Sequence, residues 1–348
     1  MKVDTIARLS LYCGLTFLVC TVSTAAAEIR IGVFNDLNGS VGSDVYYGGT
    51  TSSLRKLLEM NPDIIVAPGD LVGGEDFSKK LGDADFLRMW TSFGNKLHSS
   101  MKAKNIPFAP APGNHDANAG LSREVKHYAN YFRRAENKPA VDFVDEAHFP
   151  YFYSYIHKGV FFVALDSTLS GAIKSSQGSA DVQKEWLRAQ LASSRAVTAI
   201  ARIVYAHVPL YSVLDKSRHA GKFAEVLGRE QIASGREKSL ESILVTGRVD
   251  LAIFGHSHVF YPGLLRYKEN ASVLHVLFAP RGGPGGRYLP GASQMSPQGF
   301  ALIRVLDDGQ IVYEARTSAG ERMSCEVLPK AIASNGGRMI ERDDEYCE

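Results

Sequence analysis

Five short apolar segments of this chain each end in a cluster of polar residues, and this arrangement limits the folds that the chain can adopt. The segments begin at Ile29, Asp63, Ile106, Ala199 and Asp250. Short apolar runs of this kind are typical of buried strands, and helical patterns separate several of them. Strands that alternate with helices and carry polar residues at their carboxyl ends predict a layered α/β sheet with a site at that edge.

The segments between these strands are mostly helical by pattern. We expect a helix over Ser53–Met60, capped by Ser43 or Asp44, and another over Asp181–Leu191. Between Phe77 and Asn105 an apolar helix face would place core residues inside the fold. Those core residues are Phe86, Leu87, Trp90, Phe93 and Leu97.

Three further elements complete the secondary-structure prediction. A helix over Arg123–Ala135 is expected to lie over the mouth of the site. Tyr151–Tyr155 and Val160–Leu165 flank a turn and predict a hairpin. A terminal hairpin over Gly299–Glu314 is expected to pack a second sheet onto the first.

The first 27 residues have the composition of a secretory signal. Lys2 and Arg8 precede an apolar run from Leu9 to Val22, and three alanines precede Glu28. This order predicts cleavage after Ala27 and a periplasmic or secreted protein. The run is shorter than the roughly 20 residues that span a bilayer, so an uncleaved anchor is the less favoured alternative. We expect no stable membrane span after cleavage.

The rest of the 348-residue chain is long enough for one layered domain with a short tail. We place the domain at residues 28–320 and the tail at residues 321–348. Cys325 and Cys347 follow the signal, and in an exported protein they predict a disulfide that closes the tail; two free thiols are the alternative. The net charge is +2, with the charges scattered, which argues against a surface that wraps nucleic acid.

The residue types collected at the strand ends are those that bind divalent ions such as Mn, Zn or Fe. Any one of the histidines would more often be a hydrogen-bonded loop residue than a ligand. Their occurrence after successive strands favours the metal site. The candidates are Asp36, Asp70, Asn114, His207, His256 and His258.

These motifs resemble the pattern of the calcineurin-like metallophosphoesterases, which runs D-x-H, G-D, G-N-H-D or G-N-H-E, a single His before a short apolar turn, and G-H-x-H. The resemblance extends from about Ile29 to Val259 and is uninformative about the substrate. It implies a four-layer α/β/β/α sandwich of two packed mixed sheets flanked by helices, with the site at the carboxyl ends of strands. The matching residues are Asp36-Leu37-Asn38, Gly69-Asp70, Gly113-Asn114-His115-Asp116, His207 and Gly255-His256-Ser257-His258.

The resemblance also implies a site with two divalent metal ions, bridged by Asp70. A hydroxide between the ions would attack phosphorus in line with the leaving oxygen. His115 would contact the phosphate and protonate the leaving group, and Asp116 behind it would keep the imidazole protonated and aimed. The first ion would be held by Asp36 and His258, and the second by Asn114, His207 and His256.

Two positions depart from the family pattern. Asn38 stands where the family usually has His, so the first ion would lose an imidazole and gain at most an amide oxygen. Purple acid phosphatases, a branch of this superfamily, tolerate a missing His because a Tyr three residues after the bridging Asp takes part. That position is Gly73 here, so we keep Asn38 as a candidate ligand and expect no tyrosinate-to-iron absorption band.

A glycine-rich loop from Arg281 to Arg287 follows the last motif. Its glycines would let backbone N–H groups approach an oxyanion, and its two arginines could clamp phosphate oxygens. A surface turn with solvated arginines is the alternative.

The sequence as a whole favours an exported enzyme that hydrolyses a small-molecule phosphomonoester or phosphodiester. A nucleotide or cyclic-nucleotide phosphohydrolase is the alternative among enzymes. A non-catalytic binding protein on the same fold is the alternative of another class; Asn38 is its only support, and the retained pair of His115 and Asp116 speaks against it.

Overall fold

The computed structural model describes residues 28–78, 80–169, 179–219, 239–267, 272–334 and 338–346. The predicted signal and Cys347, the predicted disulfide partner of Cys325, lie outside these ranges. Two mixed sheets flanked by helices form the fold, as the sequence predicted. Within the described ranges, no helix combines the length and the apolar character needed to cross a membrane.

The strands are β1 Ile29–Val33, β2 Ile64–Pro68, β3 Phe108–Ala111, β4 Asp142–Asp145, β5 Tyr153–His157, β6 Val160–Leu165, β7 Arg202–Ala206, β8 Leu251–Phe254, β9 Tyr261–Arg266, β10 Val273–Phe278, β11 Gly299–Val305, β12 Ile311–Thr317, β13 Ala331–Ala333 and β14 Met339–Arg342. The α-helices are α1 Gly48–Glu59, α2 Asp83–Phe93, α3 Ser99–Ala103, α4 Asn114–Ala117, α5 Ser122–Phe132, α6 Ala180–Leu191, α7 Ser194–Val197 and α8 Leu240–Thr246. A π-helical turn, Gly94–His98, joins α2 to α3, and a 3-10 turn, Asp344–Tyr346, follows β14.

The first sheet has the strand order β12–β11–β1–β2–β3. β1, β2 and β3 run parallel, so their carboxyl ends lie at one edge. These strands are almost entirely buried, which explains their continuous apolar sequences. The terminal hairpin β11–β12 pairs with β1 and extends this sheet. Our expectation that it packs a second sheet onto the first is therefore wrong, because local turn signals do not specify the strand that a hairpin pairs with.

The second sheet has the order β13–β14–β9–β10–β8–β7–β6–β5–β4. β6, β7 and β8 run parallel at its centre, and the predicted hairpin β5–β6 is confirmed. Residues after 320, which we expected to form a tail, contribute β13 and β14, and β14 pairs with β9. Cys325, in the same region, is disulfide-bonded.

The helices lie where the sequence predicted them, but the predicted caps of α1 and one predicted core residue of α2 differ in the structure. The helix predicted over Asp181–Leu191 is confirmed as α6. Helix α1 begins at Gly48 without a side-chain cap, so the predicted caps are wrong: the Ser43 hydroxyl accepts a hydrogen bond from Val45 N instead, at 3.2 Å. Leu87 is 54% exposed, although its predicted partners on α2 are buried, because it directly follows Phe86 and points about 100° around the helix from it.

The main hydrophobic core lies between the two sheets. It combines residues of β1, β2 and β3 with residues of β5, β6 and β7. The Tyr153 hydroxyl donates to the Pro110 carbonyl across this interface at 2.7 Å. Helix α5 also contributes Tyr128 and Phe132 to the core. The two sheets are thus packed face to face, and ligand-type residues from both can meet at one end.

Candidate active site

The carboxyl ends of five strands deliver the candidate ligands to one place. Asp36, Asp70, His256 and His258 follow β1, β2 and β8 and all adopt left-handed backbone conformations, with φ between 51° and 62°. Residues other than glycine pay a conformational cost there, which is usually retained at functional sites where the surroundings enforce it.

Gly113 allows the third strand end to approach the second. A Cβ atom on Gly113 would lie 2.2 Å from Asp70 Oδ1 and 2.3 Å from Asp70 N, so no side chain fits there. The backbone of Gly113 is extended, with φ −101°, so the glycine is needed for this close approach rather than for a left-handed turn.

One group of ligand atoms surrounds the Asn114 side chain. His207 Nε2 lies 2.9 Å from Asn114 Oδ1 and 3.3 Å from Asp70 Oδ1. His256 Nδ1 lies 3.0 Å from Asn114 Oδ1 and 3.2 Å from His207 Nε2. These four residues include all those that the family pattern assigned to the second ion.

A second group pairs His258 with Asp36. His258 Nε2 lies 3.2 Å from Asp36 Oδ1, and His258 Nδ1 lies 2.9 Å from the Gly285 carbonyl oxygen, to which it donates. Ligand atoms of Asp36, Asp70 and His207 all lie within 4.8 Å of one another, so the two groups are contiguous. Asp70 belongs to the first group and lies within this distance of Asp36 in the second.

The chemistry of these contacts fits bound cations. His207 Nδ1 donates to the Pro68 carbonyl at 2.7 Å, which leaves Nε2 as the lone-pair nitrogen of a neutral ring. The lone pair of that nitrogen faces those of Asn114 Oδ1 and Asp70 Oδ1. These atoms repel one another unless a proton or a metal ion lies between them. Ligands on one ion with bonds of ~2.1 Å at right angles are ~3 Å apart, which is the spacing seen here.

The charges and pKa shifts of these residues also fit a bound cation. Burial lowers the pKa of His207, but the charges of Asp70 and Asp36 outweigh it and raise the pKa to about 9. Burial and the charge of His207 together lower the pKa of His256 to about 3. Without a metal ion, His207 therefore carries the positive charge that balances the buried carboxylates, and a divalent ion would replace that proton.

Asn38 provides the structural test of the first ion site. The residue is 8% exposed, and its Oδ1 atom is buried without a hydrogen-bond partner among the residues that the structure describes. A buried amide oxygen without a partner is costly, and a cation ligated by it would remove that cost. At Gly73, a Cβ atom would lie 2.5 Å from the Ser40 carbonyl oxygen, so the structure has no room for a side chain in the tyrosine position.

His115 has different partners from those expected. Its backbone N–H donates to Asp70 Oδ1 at 2.9 Å. The prediction that Asp116 orients the His115 ring is wrong, because the Asp116 carboxylate accepts backbone N–H bonds from Leu71, Val72 and Gly113 at 2.7, 3.0 and 3.1 Å. Asp116 therefore fixes the loop after the bridging aspartate.

The groups that orient His115 belong to a loop that the sequence analysis missed. His115 Nδ1 donates to the Gly74 carbonyl at 2.8 Å, and Nε2 lies 3.5 Å from Glu75 Oε2. Burial lowers the pKa of His115, but the charges of Asp70 and Glu75 outweigh this and raise it. The only sequence signal for Glu75 was an acidic residue in a glycine-rich turn five positions after Asp70.

Two backbone N–H groups of the glycine-rich loop have a different role from the one that we predicted. Gly282 N and Gly283 N donate to the carbonyl oxygens of Asn35 and Asp36, both at 2.7 Å. A Cβ atom on Gly283 would lie 2.5 Å from the Asp36 carbonyl oxygen. These two N–H groups therefore hold the end of β1, and the expectation that they receive an oxyanion is wrong.

The arginines of this loop are half-buried beside the ligand groups. The Arg281 guanidinium donates to the Ser296 carbonyl, and the Arg287 guanidinium donates to the His256 carbonyl. Burial lowers the pKa of both, to about 10 for Arg281, while the nearby Asp36 carboxylate opposes that shift. The alternative of fully solvated arginines is excluded.

Known proteins show which family this chain matches and which solved structures share its fold. A family model described as calcineurin-like phosphoesterase matches residues 29–260. No curated protein sequence matches the chain. A purple acid phosphatase, PPD1, from yellow lupin (Lupinus luteus) seeds is 18% identical with a TM-score of 0.59, over 86% of this chain and 53% of that chain. The present chain thus spans about half the length of the lupin protein.

Two other solved structures have similar folds. A dimetal phosphatase from Danio rerio is 15% identical with a TM-score of 0.54, over 85% of this chain and 98% of that chain. GAP50, described as the anchor in the inner membrane complex of Plasmodium, is 18% identical with a TM-score of 0.53, over 87% of both chains. Identities this low show a shared fold and nothing more specific.

Proposed function

This chain belongs to the calcineurin-like phosphoesterase family. From that premise we propose that it is a hydrolase of phosphoric esters, which cleaves small phosphomonoesters or phosphodiesters with two divalent metal ions. One observation carries the proposal. Two contiguous groups of ligand atoms, joined at Asp70, face one another with the spacing of atoms that share metal ions.

We assign the ligands from the two groups. Asp36 and His258, with Asn38, would hold the first ion; Asn114, His207 and His256 would hold the second; and Asp70 would bridge them. When bound, the ions would supply an activated water nucleophile and would neutralise charge on the phosphoryl oxygens.

His115 supplies the proton for the leaving group in this proposal. As the oxygen of water bonds to phosphorus and one of its protons is released to solvent, the bond from phosphorus to the ester oxygen breaks, and that oxygen takes the proton from His115 Nε2. His115 then regains a proton from solvent. Gly74 O fixes the ring through Nδ1, and the Glu75 carboxylate stabilises the protonated ring. The products are an alcohol and a phosphate, or a phosphomonoester when the substrate is a diester.

Arg281 and Arg287 are proposed to neutralise the negative charge of the substrate phosphate. Both guanidinium groups are half-buried and lie in the field of Asp36, and Arg287 contacts the backbone of the ligand His256. Half-buried arginines beside a site of this kind are suited to recognising phosphate oxygens.

A non-catalytic role on this fold is the weaker proposal. The similarity to the Plasmodium anchor protein shows only that the fold is shared. The present chain has both groups of candidate ligands and the contact of His115 with Glu75. A protein that only binds a partner would not need these features.

Export is proposed from different observations. The charged, apolar and small-residue order of residues 1–27 supports a cleaved signal, with the mature chain beginning at Glu28 in the periplasm or outside the cell. The disulfide bond of Cys325 suits an oxidising compartment. The mass of the mature protein purified from its host would show whether cleavage occurs after Ala27.

Hydrolysis and metal content together test the enzymatic proposal. Chelator-stripped protein would be assayed with 4-nitrophenyl phosphate and bis(4-nitrophenyl) phosphate, with Mn, Zn, Fe, Co or Ca added singly. We expect metal-dependent release of nitrophenol and two ions per chain by elemental analysis. Protein that binds no ion and hydrolyses neither ester would contradict the proposal.

A further inference from the structure

Glu124 on helix α5 is a buried carboxyl group that the proposed mechanism has not used. The residue is 2% exposed, and Oε1 accepts a hydrogen bond from Asp76 N at 2.9 Å. Within the described ranges, Oε2 is buried without a hydrogen-bond partner. Burying a carboxyl group is costly, and the hydrogen bonds that this one accepts come from the backbone of Glu75 and Asp76, in the loop beside His115. Burial raises the pKa of Glu124 to about 7, which makes a neutral isostere an informative substitution.

The Asp76 amide that Glu124 binds belongs to the same loop that orients His115. Gly74 is linked to His115 twice, because Gly74 N donates to the His115 carbonyl at 2.9 Å and Gly74 O accepts from His115 Nδ1 at 2.8 Å. A Cβ atom on Gly74 would lie 2.3 Å from the His115 carbonyl oxygen and 3.3 Å from Glu124 Cδ. The loop is therefore packed between Glu124 on one side and His115 on the other.

Glu75, the middle residue of this loop, is held in a strained conformation. Its φ is 67°, in the left-handed region, and its carboxylate faces His115 Nε2 at 3.5 Å. Such a conformation in a residue other than glycine persists when surrounding contacts over-determine it. The bond from Asp76 N to Glu124 fixes the peptide that directly follows Glu75, and the bond from His115 Nδ1 to Gly74 O fixes the peptide that precedes it.

We propose that Glu124 is a positioning residue for proton transfer: it fixes the Gly74–Asp76 loop so that Gly74 O and the Glu75 carboxylate hold the His115 ring toward the ester oxygen. This inference rests on the proposed function, since it requires His115 to be the proton donor. None of the hydrogen bonds of Glu124 joins it to a proposed metal ligand, so its effect is separable from metal binding.

Kinetics with two leaving groups test this role. Phenyl phosphate needs a proton on its departing oxygen far more than 4-nitrophenyl phosphate does, because phenol is the weaker acid. We expect Glu124→Ala to lower kcat for phenyl phosphate by roughly 10- to 100-fold, the scale of a small misplacement of a catalytic group. We expect kcat for 4-nitrophenyl phosphate to change by less than about threefold, with KM and metal content unchanged.

Two matched variants complete the design. Glu124→Gln keeps an oxygen that can accept from Asp76 N and is expected to restore most of the turnover of phenyl phosphate. Glu136→Ala, which makes the same change at an exposed site just after α5, is the control. Equal losses for both esters in Glu124→Ala, or a Glu124→Gln variant no better than Glu124→Ala, would overturn the proposal in favour of a purely structural contact.

NMR of the His115 ring tests the positioning role without relying on enzymatic activity. In protein labelled at histidine, the ring resonances of His115, assigned by their loss in His115→Ala, should shift in Glu124→Ala and return in Glu124→Gln. Resonances that stay in place in Glu124→Ala refute the positioning role. If wild-type protein hydrolyses neither ester, the proposed function fails, whereas the resonances still decide whether Glu124 sets the position of His115.

Discussion

Asp70 contacts both His207 and the proposed proton donor, His115, and lies within 4.8 Å of Asp36. Its Oδ1 atom accepts from His115 N at 2.9 Å and lies 3.3 Å from His207 Nε2. The charge of His207 lowers the pKa of Asp70 against the effect of its burial, so the carboxylate is ionised across the physiological range. A single negative charge therefore contacts both the proposed proton donor and one of the proposed metal ligands.

Asp70→Asn should remove that charge while keeping the shape of the side chain. We expect metal-dependent turnover to fall by more than about a hundredfold, the scale of losing one electrostatic contact to a transition state. Elemental analysis should also show fewer bound ions per chain. Asp181→Asn makes the same change at a side chain that is 86% exposed, and it should retain both properties. Full metal content and turnover in Asp70→Asn would show that Asp70 is not the bridging ligand.

If Asn38 is a ligand, as proposed, its side chain sets how strongly the first ion is held. Asn38→His should offer an imidazole nitrogen in place of a neutral amide oxygen, and we expect metal affinity to rise by about tenfold or more. Asn38→Ala should lower it, because the buried Oδ1 atom is removed. Competition with a chromogenic chelator measures both. Identical affinities in the two variants and the wild type would place Asn38 away from the ion.

At the scale of elements, the sequence predicted the strands better than their partners. Buried strands such as β1 and β2 are continuous apolar runs, so both the strands and the residues at their ends could be identified locally. The hairpin β11–β12 could not be placed, since its pairing with β1 joins residues far apart in the chain. The partner of His115 was missed for the same reason: Glu75 reaches it from another loop.

The glycine-rich loop gives a prediction at this scale. Gly283→Ala would place a Cβ atom 2.5 Å from the Asp36 carbonyl oxygen, against backbone that cannot rotate away. We expect the loop and the end of β1 to separate, at a cost of about 1–3 kcal/mol in the free energy of unfolding and with weaker metal binding. Metal titration and urea unfolding measure the two effects. Gly48→Ala, where no heavy atom lies within 4 Å, is the control; if both variants bind metal equally, the loop does not position Asp36.

His98 should make the packing of the helical segment dependent on pH. Its Nδ1 atom lies 3.0 Å from the Tyr131 hydroxyl, and burial lowers its pKa to about 4. Between pH 6.5 and 4 the unfolded chain binds a proton at His98 that the folded chain excludes, so this residue lowers the free energy of unfolding as the pH falls. The loss should reach about 3 kcal/mol. It is absent above pH 6.5, where both states are neutral.

His98→Gln isolates this contribution, because glutamine can still accept from the Tyr131 hydroxyl and does not titrate. Urea unfolding of both proteins, with chelator present, should show wild type losing stability relative to the variant as the pH falls from 6.5 to 4. Curves that remain parallel over this range would mean that the folded protein admits the proton at His98.

For the whole molecule, the important fact is that each ligand group is made from both sheets. Asp36 follows β1 of the first sheet, whereas its partner His258 follows β8 of the second. Asn114 follows β3 of the first sheet, whereas His207 follows β7 of the second. Ions bound in these groups would therefore join the two sheets at the end of the core, in addition to supplying chemistry. The unfolded chain, in which these residues are far apart, offers no comparable site.

Metal binding should consequently stabilise the entire fold. A ligand present at 100 times its dissociation constant adds about 2.7 kcal/mol to the free energy of unfolding, which corresponds to an increase in Tm of a few degrees for a domain of this size. Calorimetry of stripped protein with increasing Mn should show Tm rising with the logarithm of free metal concentration, and chelator should reverse the rise. The double variant Asp70→Asn, His207→Ala removes ligands from both sheets and should show no rise. An equal rise in that variant would mean that the ions stabilise the protein from somewhere other than the junction of the two sheets.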